Sequence, residues 1–204
     1  RTRPFRALLE RVAGIDRRRV LPPYAREPFP KWFDSRRNGR GRADADATTV
    51  VLFDDTFLNH FEPQVGRSAV DLLESCGYRV QLARAGCCQR PRLSHGFLRD
   101  ARRDGEKTLR ALDTYIERGW PIVVCEPSCA AALTDDLPDL IDDEALAGRI
   151  IESVTMIDVF LAKEQEEGKL PGGFSSRFDE VLLHGHCNQK ALYGTAGMKT
   201  IWSS

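Results

Sequence analysis

The sequence predicts an α/β fold: a Rossmann-like domain with a parallel sheet of about four strands, preceded by an extended Arg/Pro-rich arm. Three observations predict it. Short apolar, β-branched runs alternate with longer segments of helical period. Glycine and proline punctuate the joins between them. Cysteines and other chemistry-bearing residues stand directly after the apolar runs, and in an open α/β sheet the loops at the carboxyl ends of the strands line the ligand crevice.

Composition sets the bounds. The chain has 204 residues, 42% hydrophobic and 29% charged, which suits one globular domain or a little more. Mean hydropathy is -0.38 and no apolar run reaches the roughly 18 residues of a membrane span. The Arg-rich start has no apolar block behind it, so it does not read as a secretory signal. The first residue is Arg rather than Met, which suggests a processed or excised chain. Net charge is zero, yet residues 1–44 hold 13 Lys/Arg against 5 Asp/Glu. A basic leader of this kind suits nucleic acid or an acidic surface. It lacks the regular aromatic interleaving of a strand-binding groove, so we read it as a solvated arm or one lying on an acidic neighbour.

Pro4–Val12 has the pattern of a short amphipathic helix ended near Gly14, and Arg17–Asp46 reads as an extended linker, with Trp32 and Phe33 in simple hydrophobic contact. The globular part starts near Thr48. Thr49–Phe53 is a continuous apolar run, as expected of a strand buried on both faces, and Asp54-Asp55-Thr56-Phe57 is its exit loop. Pro63 opens a helix whose stripe is Val65, Ala69, Leu72, Leu73 and Cys76, stopped by Gly77. Tyr78–Ala83 is the second strand, followed by Gly86-Cys87-Cys88-Gln89-Arg90-Pro91. Phe97 to Ile116 marks a long helix ending at Gly119, and Pro121–Val124 the third strand. Cys129–Leu133 is a short helix broken at Pro138; Ile150, Val154, Ile157 and Leu161 mark another. Pro171-Gly172-Gly173 is a loop, Val181-Leu182-Leu183 a fourth strand, and Gln189–Trp202 starts as a helix. Helices separate successive strands, so the strands should be parallel with right-handed crossovers. Asp55-Thr56, Cys87-Cys88, Glu126 to Cys129 and His184 to Cys187 should then meet at one edge.

Six cysteines in this length are too few for a small disulfide scaffold, and vicinal Cys87-Cys88 would close almost no loop. The pattern fits a reducing compartment in which thiols serve as ligands or redox groups. Cys87, Cys88, Cys129 and Cys187 are the candidate metal or cluster ligands. Cys76 and Cys125 read as core residues, with Cys125 a reserve donor. Iron–sulfur clusters take thiolates, usually four, but the spacing is not a ferredoxin run. A zinc site using Cys with His184 or His186 is open by ligand type. So is a dithiol redox module using Cys87-Cys88, as is a cluster-free structural or interaction domain. Gly194-Thr195-Ala196-Gly197 is not a nucleotide fingerprint.

Four motifs in order carry a resemblance. They are Asp54-Asp55-Thr56-Phe57 with Glu62-Pro63-Gln64-Val65-Gly66-Arg67, then Cys87-Cys88-Gln89-Arg90-Pro91, then Glu126-Pro127-Ser128-Cys129, then His184-Gly185-His186-Cys187-Asn188-Gln189-Lys190-Ala191. Over residues 48–195 the chain resembles the cysteine-rich "CCG" domain. That domain occurs in heterodisulfide reductase, in the anaerobic glycerol-3-phosphate dehydrogenase and glycolate oxidase iron–sulfur subunits, and in FAD-linked oxidases. The form is most similar to the C-terminal part of a fused FAD/iron–sulfur oxidoreductase. The resemblance implies a basic arm over 1–47, a first CCG-type unit over 48–179 and the start of a second, truncated unit over 180–204. It implies electron transfer from FAD held elsewhere in a parent protein, through an iron–sulfur cluster, in oxidation of a 2-hydroxy acid such as lactate or glycolate. The implied partners are flavin and ferredoxin-type modules, with no nucleic acid and no membrane span. The implied location is the cytoplasm, with peripheral attachment to the inner membrane as an option. Cys87, Cys88 and Cys129 match the first unit's ligands, and Cys187 the opening cysteine of the second. Thr56 stands where the family has an early cysteine, Glu126 where it has the first of a Cys-x-x-Cys pair, and Gln89 where it has glycine.

Overall fold

The computed structural model describes residues 2–36, 47–170 and 179–202. At its centre is a four-stranded, wholly parallel sheet in the order β2-β1-β3-β4. The strands are β1 (Thr49–Leu52), β2 (Arg79–Leu82), β3 (Ile122–Val124) and β4 (Val154–Met156). Residues 49–52 of β1 and all of β3 are buried, as a sheet covered by helices on both faces requires. Alternate residues of β1 feed opposite cores: Val51 lies with Ile122, Val124, Leu109, Leu112 and Leu133 on one face, and Val50 and Leu52 lie with Val70, Leu73 and Leu161 on the other.

The long helix α6 (Leu98–Ile116) and α8 (Glu144–Ser153) cover the first face; α4 (Pro63–Ser75) and α9 (Ile157–Glu166) cover the second. Pro63 begins α4 as its missing N–H allows. Gly105 lets α6 approach Leu137, since a β-carbon there would overlap the Leu137 side chain. In the basic arm, α1 (Arg3–Ala13) ends on Gly14 in the left-handed conformation at φ 65°, with the Gly14 N–H donating to the Glu10 carbonyl.

The fold departs from the sequence expectation in three places. First, Val181-Leu182-Leu183 is not a strand, and Leu182 is 97% exposed. The fourth strand is Val154–Met156, inside the stretch expected to be one helix. No glycine or proline marks its ends: Val154 closes α8 at φ -96°, ψ 126° and Met156 opens α9 at φ -75°, ψ 150°. The helical spacing of Ile150, Val154, Ile157 and Leu161 therefore runs straight through it. Second, the Arg17–Asp46 linker contains a helix, α2 (Phe29–Arg36), with Phe29 and Phe33 buried against α4; residues 37–46 of that linker lie outside the described residues. Third, strand exits hold two further short helices, α3 (Thr56–His60) and α5 (Arg90–Ser94). The Pro171-Gly172-Gly173 loop also lies outside the described residues.

The closing segment packs back on the domain. The helix α10 (Cys187–Leu192) lies against α7 (Pro127–Ala131), and α11 (Ala196–Trp202) against α9. The Gln189 side-chain amide donates to Asp158 Oδ2 at 2.8 Å, and Thr134 Oγ1 lies 2.5 Å from the Tyr193 hydroxyl. Among the described residues no helix is long and apolar enough to cross a membrane.

Candidate sulfur site at the carboxyl edge of the sheet

The exit of β1 is built by two aspartates. Asp55 caps α3, its Oδ1 accepting the Phe57 N–H at 2.7 Å and the Leu58 N–H at 3.1 Å. Asp54 reaches sideways: its Oδ1 accepts the Arg84 N–H at 2.7 Å and its Oδ2 accepts Asn59 Nδ2 at 3.2 Å. That tie fastens the β1 exit to the β2 exit, where Arg84 is left-handed at φ 48°. Gly86 (φ 96°) and Gln89 (φ 65°) complete the bend that turns the Cys87-Cys88 pair back over the sheet edge. The Cys87 carbonyl is held twice, by Gln89 Nε2 at 2.9 Å and by Thr108 Oγ1 of α6 at 3.1 Å. Across the crevice, Glu126 caps α7, accepting the Ser128 N–H at 3.2 Å. Arg90 joins the two loops, donating to the Ser128 carbonyl at 3.1 Å and to Asp136 at 2.5 Å.

This frame brings three of the four candidate cysteines together. Cys88 Sγ lies 2.7 Å from Cys129 Sγ, with both residues buried at 3% and 6% exposure. Cys87 is half-buried; its sulfur accepts the Gln89 N–H at 3.4 Å and is in hydrogen-bonding contact with Cys88 and with the Thr56 hydroxyl. The sulfurs therefore run Cys87–Cys88–Cys129, with the Thr56 hydroxyl beside the first. Shared hydrogen bonds keep Cys87 and Cys88 protonated: Cys88 is pushed up to about 12, first by its bond to Cys129, and Cys87 is raised by its bond to Cys88 and then by burial. Burial, with the negative charges of Asp55 and Glu126, pushes Cys125 up to about 12. Cys125 is partly buried and packs with the second core, and Cys76 is buried in that same core, as the apolar stripe of α4 requires.

Cys187 stands apart. It is exposed, at the start of α10, and its sulfur lies 3.8 Å from Nδ1 of its neighbour His186. His186 caps α10 by accepting the Asn188 N–H. His184 and His186 are both exposed, and among the described residues no group of three or more His, Cys, Asp or Glu is arranged to hold a metal ion. The donor types suit a thiolate-bound cluster, but the arrangement does not complete its shell: Cys88 touches Cys129 and Cys87 bonds Cys88, a row that is not closed around one point, and among the described residues no group of three or more donors is set to hold a metal. Glu126 is turned to its own helix by Ser128, which also bonds it through Oγ.

Sequence reasoning missed the pins of this site, namely Asp54, Thr108 and Arg90. Two aspartates after an apolar run were a signal for the first. For the others the loop bend had to be known. Asp55 itself carries a testable consequence. Burial raises its carboxyl above the ordinary range, against its two backbone hydrogen bonds, and its Oδ2 is buried with no hydrogen-bond partner among the described residues. The folded chain thus holds this proton more tightly than the unfolded one, whose value is about 3.9. Stability contributed by the proton is complete below that value and is lost as pH rises through the folded one. Asp55→Asn, which keeps the cap, should flatten the fall in stability over that window. Urea midpoints measured from pH 4 to 7 check this, and an unchanged slope would count against it.

Comparison with known proteins gives relatives of two kinds. No family model matches the chain, and no solved structure does. It is 27% identical, over 82% of its length, to an anaerobic glycerol-3-phosphate dehydrogenase subunit of Escherichia coli. It is 24% identical over 71% of its length to a lactate utilization protein A of Bacillus cereus, and 27% identical over 71% to the lactate utilization protein A of Geobacillus thermodenitrificans. The chain is a relative of both kinds of protein. It spans 41% of the length of the first and 59% of the others.

Proposed function

We propose that this chain is an electron-transfer segment of a larger oxidoreductase, associated with an iron–sulfur centre and acting with flavin and ferredoxin-type modules on a small hydroxylated substrate. The observation that carries the reading is the convergence of Cys87, Cys88 and Cys129 at the carboxyl edge of a parallel sheet, the place where such folds hold ligands. The names of the relatives, one a glycerol-3-phosphate dehydrogenase subunit and the other a lactate utilization protein, support that substrate class. A 2-hydroxy acid such as lactate or glycolate fits it, with the flavin carrying the substrate chemistry elsewhere in the parent protein.

Cys87, Cys88 and Cys129 would supply thiolates to the cluster, and Cys187 would open a second unit of the same kind over 180–204. The residues of this chain place and shield these groups. Asp54 and Arg90 fix the spacing of the loops, and α6 and α7 keep bulk water from Cys88 and Cys129. A cluster bound here would pass single electrons; it needs a fourth donor, from Cys187 or from another module. The isolated chain should accordingly be catalytically inactive and hold iron at a low, labile level. Anaerobic reconstitution with iron and sulfide, followed by iron analysis and an EPR spectrum, tests this. Substoichiometric iron that is lost in air is expected. A stable four-iron signal that survives Cys187→Ala would show that the first unit completes its own shell. No iron at all, even with the second unit present, would favour a cluster-free scaffold.

A further inference from the structure

We propose that, in the metal-free chain, Cys88 and Cys129 form a two-electron dithiol–disulfide couple that links the β2 exit loop to α7. This goes beyond the iron–sulfur reading and does not require it. The two sulfurs are in direct contact at 2.7 Å although their residues are 41 apart in sequence. The frame of the two loops brings them there. Arg90 holds the Ser128 carbonyl, one residue before Cys129, while Thr108 holds the Cys87 carbonyl, one residue before Cys88. The pairing also differs from the vicinal one that the sequence offers. Cys87 sits at the end of the thiol row, hydrogen-bonded to Cys88 but engaged also by the Gln89 N–H and the Thr56 hydroxyl, whereas the Cys88 and Cys129 sulfurs touch at 2.7 Å.

The reaction balances with a low-molecular-weight disulfide as oxidant. The two S–H bonds of Cys88 and Cys129 break, their S–S bond forms, the S–S bond of the reagent breaks, and two electrons and two protons leave with its two thiols. Burial of both residues restricts the site to small reagents of this kind and excludes a folded protein's disulfide. Closing the bond also removes two ligands from any cluster, so the oxidised chain would have to be reduced before it could take up iron.

The test uses the full chain, stripped of metal, equilibrated anaerobically across mixtures of oxidised and reduced glutathione and of oxidised and reduced dithiothreitol, then acid-quenched, alkylated and mapped by mass spectrometry. A peptide pair joined through Cys88–Cys129 should appear with a single midpoint, with Cys76 and Cys125 still free. It should persist in Cys87→Ser and vanish in Cys88→Ser. Cys88 and Cys129 remaining alkylatable in every mixture would overturn the proposal, and so would a Cys87–Cys88 bridge as the main product. The wild-type map decides even if a variant fails to fold. Iron uptake is measured on separate reduced samples: disulfide without iron uptake defeats only the cluster reading, and iron uptake without disulfide defeats only this one.

Discussion

Phe29→Ala should destabilise the chain by about 3–5 kcal/mol, the range for emptying a buried phenylalanine site. The ring is fully buried although it belongs to the arm before the sheet. It lies over Gly66 of α4, where a β-carbon would come within 2.9 Å of it. Trp32 stacks on it at 5.8 Å between centroids, and Phe33 meets it edge-on at 6.3 Å. Arg36 and Arg67 cover Trp32 at 4.9 and 5.1 Å, and Arg67 is paired with Glu27. Removing the ring unseats this whole cluster, because the small residue at position 66 leaves nothing to fill the gap. Gly66→Ala approaches the same contact from the other side and should cost about 1–3 kcal/mol by overpacking. Urea unfolding with the slope held constant measures both. A loss under about 1 kcal/mol for Phe29→Ala would mean that α2 undocks without consequence, and the globular unit would then begin at β1.

The position of α2 shows where sequence reasoning runs short. Its helix spans only eight residues, includes Pro30 and lies in an Arg/Pro-rich stretch, so local composition argues for a linker. Tertiary burial of Phe29 and Phe33 decides otherwise. The strand at Val154–Met156 was hidden for the opposite reason: its apolar residues continue the period of the helices on either side. By contrast β1, β2, β3, α4 and α6 were legible, because each has a clear apolar run or helical period, and all but β1 have a glycine or proline near a boundary. The meeting of Cys87, Cys88 and Cys129 was legible from topology alone, since parallel crossovers put all strand exits on one edge. Which thiols touch was not. That depends on two residues other than glycine, Arg84 and Gln89, taking left-handed conformations in the loop. Cys187 was placed at the same edge as the exit of a fourth strand at Val181–Leu183, which the fold does not form. The structure does carry it to α7 on α10, but leaves its sulfur exposed.

The largest change in metal binding should come from adding thiols rather than removing them. T56C/E126C should raise iron per chain several-fold over wild type after anaerobic reconstitution. Thr56 already lies beside the Cys87 sulfur, so a thiol there extends the row at its open end. Glu126 is the N-cap of α7 and Cys129 the third residue of that helix, and side chains at those two positions face each other across the first turn. A cysteine at 126 therefore stands next to Cys129 at the other end of the row. Five thiols would then frame one crevice, against the three that converge now, and a four-iron cluster normally takes four. Sulfur is also the softer donor, so replacing the hydroxyl and carboxylate favours the cluster over hydrated iron. The substitution carries a cost, since loss of the Glu126 cap removes about 0.5–2 kcal/mol from a short helix. Cys76→Ser is the control, because its thiol is in the opposite core and should leave iron uptake unchanged. Cys88→Ser and Cys129→Ser should each abolish the gain in the T56C/E126C background. Iron that stays at the wild-type level in a folded T56C/E126C chain, judged by its circular dichroism, would mean that the crevice lacks room for a cluster. Electron transfer would then have to be sought at Cys187 and the second unit.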